Sequence, residues 1–168
     1  LEMLVDVIVA LSHDERLVWI LAGEGPGKTV MAEATENLPQ VQIMPLQPVE
    51  LINDWLNLAD VHLLPQKAAA ADLVLPSKLL GMLASGRPVI AASPSGSTLG
   101  MMAEQAGCRV EPDDPTGFAE AVKMLTNNAE VRRSLGRHAR QMAEARFSKE
   151  RVLRRYEEEI GVATVSYT

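Results

Sequence analysis

Residues 76–92 read PSKLLGMLASGRPVIAA and contain one complete helix-to-strand unit. Apolar residues at helical spacing predict a helix over residues 77–85, and Gly86 follows it as a typical helix terminator. The run PVIAA at residues 88–92 is short and continuously apolar, so it predicts a strand that is buried on both faces. Strands of this kind occur in parallel sheets that carry helices on either side.

The same alternation extends in both directions from this unit. The candidate strands, all short and apolar, are residues 17–22, 41–45, 61–64, 88–92 and 108–111. The candidate helices are residues 1–14, 29–37, 50–59, 77–85, 98–106, 116–127, 130–145 and 149–160. This order predicts an α/β fold, a Rossmann-like doubly wound parallel sheet followed by C-terminal helices. Ligands of such folds bind beyond the carboxyl ends of the strands.

Composition and charge limit the partners. The 168 residues are 47% apolar and 23% charged with a net charge of −6, which is typical of one globular domain and argues against nucleic-acid binding. Residues 132–155 hold nine basic and two acidic side chains. They form either a solvated helical face or a surface for an anionic membrane or another domain. A single cysteine and the absence of a signal-peptide pattern predict a cytoplasmic location.

Residues 22–29, AGEGPGKT, follow a predicted strand and are spelled like a phosphate-binding P-loop. A working P-loop also needs a carboxylate at the end of another strand to hold Mg²⁺. The later strands run into VHLLPQK and PVIAASPSG, neither of which supplies that carboxylate. Pro26 also removes one N–H from the loop. We therefore interpret this stretch as a glycine-rich turn from strand to helix.

Four segments in order resemble the nucleotide-sugar glycosyltransferases of family 4. They are LVWILAGEGP at residues 17–26, VQIMPLQPVELINDWLNLADVHLLPQ at residues 41–66, PSKLLGMLASGRPVIAA at residues 76–92 and GCRVEPDDPTGFAEAVKML at residues 107–125. The likeness covers essentially the whole chain. The segment from HLLPQ to GRPVIA is most similar to the colanic-acid-type fucosyltransferases of bacterial exopolysaccharide synthesis.

The resemblance implies that residues 1–168 are the C-terminal, donor-binding half of a two-domain GT-B enzyme. Such an enzyme transfers a sugar from a nucleoside diphosphate sugar with retention at the anomeric carbon and without a metal or other cofactor. The fucosyltransferase-like segment implies GDP-fucose as the donor. The acceptor, a lipid-linked saccharide, would bind the N-terminal domain near the cytoplasmic membrane face. The resemblance also places two diphosphate-binding residues before Leu1, so we expect residues 1–168 alone to be inactive.

Ser77 and Lys78 begin the helix that the resemblance assigns to the donor site. Ser77 would act as the N-cap of this helix or offer its hydroxyl to a phosphate, and Lys78 would add charge beside the positive helix end. Lys67 is a second candidate cation, and Asp72 a candidate ligand of the sugar hydroxyls. Each of them is equally compatible with a solvated surface position.

The loops after the other strands supply the remaining candidates. The resemblance implies contacts to the base, largely through backbone atoms, from Leu46 and Gln47. Ser95, Gly96 and Ser97 belong to a small-residue loop that either offers hydroxyls and amides to a phosphate or is an ordinary turn. Gly23 is a candidate because its loop follows the carboxyl end of a strand. Glu104 is interpreted as a helix-surface acid. The family pattern has two glutamates with seven residues between them, which align here with Leu73 and Gly81. Neither can hold the ribose hydroxyls, so ribose binding passes to other groups or the donor is read differently. No catalytic residue is assigned.

Three other functions remain open from the residues. A GT-B-shaped sugar-nucleotide epimerase would carry acid and base carboxylates in its upstream domain. A P-loop phosphotransferase would bind ATP with Mg²⁺ and lose that binding on Lys28→Ala. A non-catalytic Rossmann module would bind no nucleotide even when joined to its upstream partner.

Overall fold

The computed structural model describes residues 2–66 and 75–165, in which helices and strands alternate as the sequence predicts. The strands are β1 (Trp19–Ala22), β2 (Val41–Met44), β3 (His62–Leu64), β4 (Val89–Ala92) and β5 (Gly107–Val110). The helices are α1 (Glu2–Ala10), α2 (Pro26–Ala34), α3 (Ile52–Leu58), α4 (Ser77–Ala84), α5 (Thr98–Ala106), α6 (Pro115–Asn127), α7 (Ala129–Phe147) and α8 (Lys149–Val165). A short 3₁₀ turn, Val49–Leu51, leads into α3.

The largest boundary errors lie at the first two helices and at the last, α8, which was predicted to end at residue 160 and runs to Val165. Helix α1 ends at Ala10, although the helical pattern extended to residue 14, because the chain turns immediately after it. Helix α2 begins at Pro26 rather than at Thr29. Proline suits a first helical turn because its fixed φ matches the helix and its missing N–H would have no partner there. The glycine-rich turn before α2 is therefore shorter than predicted, and Lys28 lies inside the helix.

All observed strand pairs are parallel, as predicted, but they form two sheets. Strand β1 pairs with β2, and β3, β4 and β5 pair in that order. The registers place Trp19 opposite Val41 in the first sheet and Val89 opposite Gly107 in the second. Among the described residues no strand pairs with the second edge of β1 or of β3. The predicted parallel α/β architecture is thus confirmed, and within residues 2–66 and 75–165 it is divided between two sheets.

Helices cover both faces of β4, which confirms the doubly wound α/β class. Ile90 and Ala92 point into a core that α1 and α6 cover, where Ile8 and Phe118 are fully buried. Val89 and Ala91 alternate with them and point into a second core that is lined by α4, α5 and α7. A continuously apolar strand is required because each successive side chain enters one of two cores.

The two sheets share the first core. Trp19 from β1 packs in the same buried cluster as Ile90 from β4 and Val110 from β5. Helix α1 contributes Leu4, Val7 and Ile8 to this cluster and so bridges the two sheets on one face. Within each sheet the strands are parallel, so their carboxyl ends emerge together at the carboxyl edge of that sheet.

Candidate functional site

The loops that follow the parallel strands form the candidate site at this carboxyl edge. The edge comprises the turn after β1, residues 45–48 after β2, the first turn of α4, and residues 93–97 after β4. Helix N-termini carry a partial positive charge and unpaired N–H groups, so an edge where several helices begin favours a phosphate.

Helix α4 begins with Ser77 and Lys78, both of which are exposed. The N-cap of this helix is Pro76 and no side chain caps it, so the prediction that Ser77 acts as N-cap is wrong. The Ser77 hydroxyl is therefore not used in capping. None of the described carboxylates pairs with Lys78. The first turn thus presents a hydroxyl and an ammonium group to solvent at the carboxyl edge.

The loop after β4 is organised by Ser97, which is the N-cap of α5. Its Oγ accepts a hydrogen bond from the Gly100 N–H at 3.0 Å and donates one to the Pro94 carbonyl at 2.8 Å. The Ser97 hydroxyl is therefore occupied by the loop itself. Ser95 and Gly96 are exposed, and Gly96 adopts a φ of 76°, which a side-chain-bearing residue rarely tolerates. They form the accessible part of the loop.

Arg109 supports this loop from β5, and the sequence reasoning missed it. Its Nη1 donates to the Ser93 carbonyl at 3.1 Å and to Glu111 Oε1 at 2.6 Å, and its Nε donates to Glu104 Oε1 at 3.0 Å. The pKa of Arg109 is raised, and the hydrogen bond with Glu111 is the largest cause. Glu104 is exposed on α5, as interpreted from the sequence, and its ion pair with Arg109 also joins α5 to β5. A single arginine within the run GCRVE was the available signal.

The turn after β1 is open. Gly23 donates a hydrogen bond to the Met44 carbonyl at 3.4 Å, and a Cβ at Gly23 would meet nothing within 4 Å. The Lys28 Nζ lies 2.9 Å from the Oε1 of Glu24, which is four residues earlier in the chain. The cation that a P-loop would use to bind a phosphate is thus held by a neighbouring carboxylate. Gly23 has space for a ligand beside it.

The turn after β2 presents an apolar and an amide side chain. Leu46 is 67% exposed, a high value for a leucine. The Gln47 Nε2 donates a hydrogen bond to the Pro45 carbonyl at 3.0 Å, which orients the amide along its own turn. An exposed apolar side chain beside a fixed turn suits contact with the flat face of a base.

Three of the sequence candidates, Lys67, Asp72 and Leu73, lie outside the described residues. Gly81 lies in α4, where an added Cβ would be 3.0 Å from the Leu56 Cδ1 of α3. Gly81 therefore leaves room for the side chain of Leu56 from α3. Position 81 is a packing position in this chain.

His62 at the start of β3 is a structural histidine. Its Nε2 lies 3.0 Å from the Ser85 Oγ, and it is 7% exposed. Burial, and then the charge of Arg87, lower its pKa to about 4. In the described part of the chain, no three His, Cys, Asp or Glu side chains are arranged to hold a metal ion. Nor does any helix in those residues have the length and apolar character needed to cross a bilayer.

Residues 1–128 match the family described as Glycosyl transferases group 1. The chain belongs to the group 1 glycosyl transferases. A curated relative, WcaI of Escherichia coli (strain K12), carries the name of a colanic acid biosynthesis glycosyl transferase. It is 34% identical to this chain over 153 residues. The alignment covers 86% of this chain and 36% of WcaI. The family resemblance, including its colanic-acid-type motif, is confirmed.

Solved structures agree with the fold. Anabaena Alr3699/HepE in complex with UDP superimposes with a TM-score of 0.79 at 14% identity, over 96% of this chain and 44% of HepE. The C-terminal domain of LpcC from Francisella tularensis, a group 1 family protein, gives a TM-score of 0.71 at 18% identity, over 88% of this chain and 79% of that domain. The chain spans about a third of the length of the curated relatives that it matches.

Proposed function

We propose that residues 1–168 are the donor-nucleotide domain of a retaining glycosyltransferase. The single observation that carries this proposal is the first turn of α4, where exposed Ser77 and Lys78 stand at the carboxyl edge without a described partner. Family membership supports the reaction class. HepE, which has the same fold, was solved with UDP and with UDP-glucose, and this supports a nucleoside-diphosphate sugar as the ligand.

The reaction needs stabilisation of the departing nucleoside diphosphate. Breaking the bond from the anomeric carbon to the diphosphate oxygen leaves negative charge on the β-phosphate. Lys78 and the unpaired N–H groups of the first turn of α4 neutralise this charge, and the accessible residues Ser95 and Gly96 contact the same diphosphate. Lys28 and Arg109 each form ion pairs with carboxylates. Lys78 forms none with the described residues, so it can bind a ligand without first breaking an ion pair.

The ribose and base are held without a carboxylate from α4. Gly81 stands where the family pattern has a glutamate, and it has no side chain with which to accept ribose hydroxyl hydrogen bonds. We assign the base to the turn after β2, where Leu46 covers one face of the ring. Gly23 allows the nucleotide to approach the backbone after β1. Lys67 and Asp72 remain candidates for the diphosphate and the sugar hydroxyls.

The rest of the full-length protein supplies a strand and the acceptor domain. Helix α1 leads into β1 and packs on a core that both sheets build. In a right-handed βαβ unit, the strand before such a helix lies parallel to the strand after it. We place that strand between the second edges of β1 and β3, which have no partner within residues 2–66 and 75–165. Residues 1–168 alone should therefore bind nucleotide weakly and lack transfer activity.

The polymer that the enzyme builds is proposed from its relative. WcaI is named for colanic acid biosynthesis, and this supports a role in exopolysaccharide assembly. We propose GDP-fucose as the donor and a lipid-linked saccharide as the acceptor. Because such an acceptor is held in the bilayer, the enzyme would work at the cytoplasmic face of the membrane as a peripheral protein.

A thermal-shift panel of GDP-, UDP- and dTDP-sugars on the full-length protein tests this function. The donor is expected to raise the unfolding temperature, because a ligand that binds only the folded state stabilises it. GDP-fucose should give the largest shift. A response to UDP-sugars alone would remove GDP-fucose and leave the donor site intact. No response to any sugar nucleotide would contradict the proposed function.

A further inference from the structure

A cationic cleft lies at the opposite edge of the second sheet from the donor site. Its volume is about 530 Å³, and its ten lining residues include five arginines and one aspartate. Asp60 precedes β3 and Pro88 precedes β4, so both mark the amino ends of these strands. The cleft is thus separated from the carboxyl edge by the length of the strands. Its ligand is not the donor nucleotide.

Close contact between α7 and the loop before β4 forms the cleft. Gly136 of α7 faces Gly86, and a Cβ added to Gly136 would overlap the Gly86 carbonyl oxygen. Because no side chain separates the two backbones, the arginines on α7 reach across the loop. Arg133, Arg137 and Arg140 follow at helical spacing and line one wall.

Three of the five arginines are fixed by helix carbonyls. Arg132 donates to the carbonyl of Leu125 and, at 2.8 Å, to that of Thr126. Arg140 donates to the Ala84 carbonyl at 2.6 Å. These bonds go to carbonyls in the last turns of α6 and α4, where the helix leaves acceptors available.

The third fixed arginine is Arg87, which donates to the Asn57 carbonyl at 3.2 Å. Arg140 is fixed on a second side, because its Nε pairs with Glu144 at 2.7 Å. Helix carbonyls thus hold Arg87, Arg132 and Arg140 in place around the cleft before any ligand arrives.

The cleft retains unused donors. Among the described residues, neither Arg133 nor Arg137 has a hydrogen-bond or ion-pair partner, and both are exposed. The Nε of Arg87 is inaccessible to solvent and has no acceptor in the described structure. A buried donor without an acceptor is costly, so this nitrogen is a local weakness of the wall, while the exposed guanidinium groups of Arg133 and Arg137 are the donors that a ligand can reach. Asp60 is the one acidic residue of the lining.

We propose that this cleft binds a phosphate group. Guanidinium groups bind phosphate through paired N–H···O bonds, and several of them can share its oxygens. The phosphate belongs either to the headgroup of an anionic lipid or to a free phosphate compound, since both present the same oxygens. Arg133 and Arg137 supply the binding charge, and Arg87, Arg132 and Arg140 form the preformed wall. This site is independent of the donor proposal.

The test compares the full-length protein with the double variant Arg133→Gln/Arg137→Gln. The matched control is Arg151→Gln/Arg154→Gln on α8, which removes the same charge outside the cleft. One arm measures partitioning onto phosphatidylcholine vesicles with and without phosphatidylglycerol. The other arm measures binding of inorganic pyrophosphate by calorimetry in the presence of the sugar nucleotide that gives the largest thermal shift, so that the donor site is already occupied. Equal unfolding temperatures of the three proteins exclude a folding defect, because both substituted pairs are exposed.

The cleft variant should lose binding and the control should keep it. Near an anionic membrane each arginine contributes about fivefold in partitioning, so the double variant should bind phosphatidylglycerol vesicles about thirtyfold more weakly. Loss confined to vesicles identifies a lipid headgroup, and loss of pyrophosphate binding identifies a free phosphate compound. Equal losses in the cleft and control variants, or no binding of either probe by the wild type, would overturn the proposal.

Discussion

Arg109→Met should lower the stability of the fold by loosening the end of β5. Methionine keeps the length of the side chain but removes the guanidinium. The bond to the carbonyl of buried Ser93 contributes about 1 kcal/mol. Glu104 and Glu111 are 53% and 57% exposed, so each ion pair adds at most about 0.5 kcal/mol. The free energy of unfolding should fall by about 2 kcal/mol.

Differential scanning calorimetry of the purified chain measures this change. For a chain of this size, about 2 kcal/mol corresponds to a drop of about 4–8 °C in the unfolding temperature. Arg155→Met is the matched control, because Arg155 is 82% exposed and pairs only with Glu159 on its own helix. The control should lose no more than about 0.5 kcal/mol. Equal shifts in the two variants would refute the role assigned to Arg109.

Three further predictions concern single side chains. Ser97→Ala should cost about 1 kcal/mol of stability through the lost N-cap, whereas exposed Ser95→Ala should be neutral in chemical denaturation. The folded-state pKa of His62 lies below its unfolded value, so its contribution to stability is complete above about pH 6.5 and is lost as the pH falls to about 4. His62→Gln should therefore flatten the pH dependence of urea unfolding in that window, and an unchanged slope would contradict the assignment. Lys78→Ala should weaken sugar-nucleotide binding at least about tenfold in calorimetry, since a charge-assisted hydrogen bond is lost. Lys28→Ala should leave binding unchanged. A larger loss of binding in Lys28→Ala than in Lys78→Ala would favour the P-loop.

The fold class followed from the sequence because buried strands have an unmistakable pattern. The run PVIAA is apolar at every position since its side chains enter two cores in turn. The division into two sheets could not be predicted, because which strands pair depends on contacts distant in sequence. The start of α2 was less predictable for a local reason: Pro26 begins the helix, before the residue that the apolar pattern marks.

The candidate site was predicted only in part. Local sequence identified the loops at the carboxyl edge, because each follows a strand. It did not reveal that Ser97 would use its hydroxyl for capping, or that Glu104 would pair with Arg109. Both interactions depend on how a loop folds back on its own helix or on a neighbouring strand. The arginine cleft was visible only as a basic segment, since Arg87 joins it from a different element.

Amide hydrogen exchange of the full-length protein, with and without its sugar nucleotide, tests most directly whether the donor binds at the carboxyl edge. Binding should slow exchange in residues 45–48, in the first turn of α4 from Ser77, and in residues 93–97. Exchange at the arginine cleft, in residues 86–88 and 133–140, should not change. Protection confined to residues 23–29 or to the cleft would contradict a donor site at the start of α4.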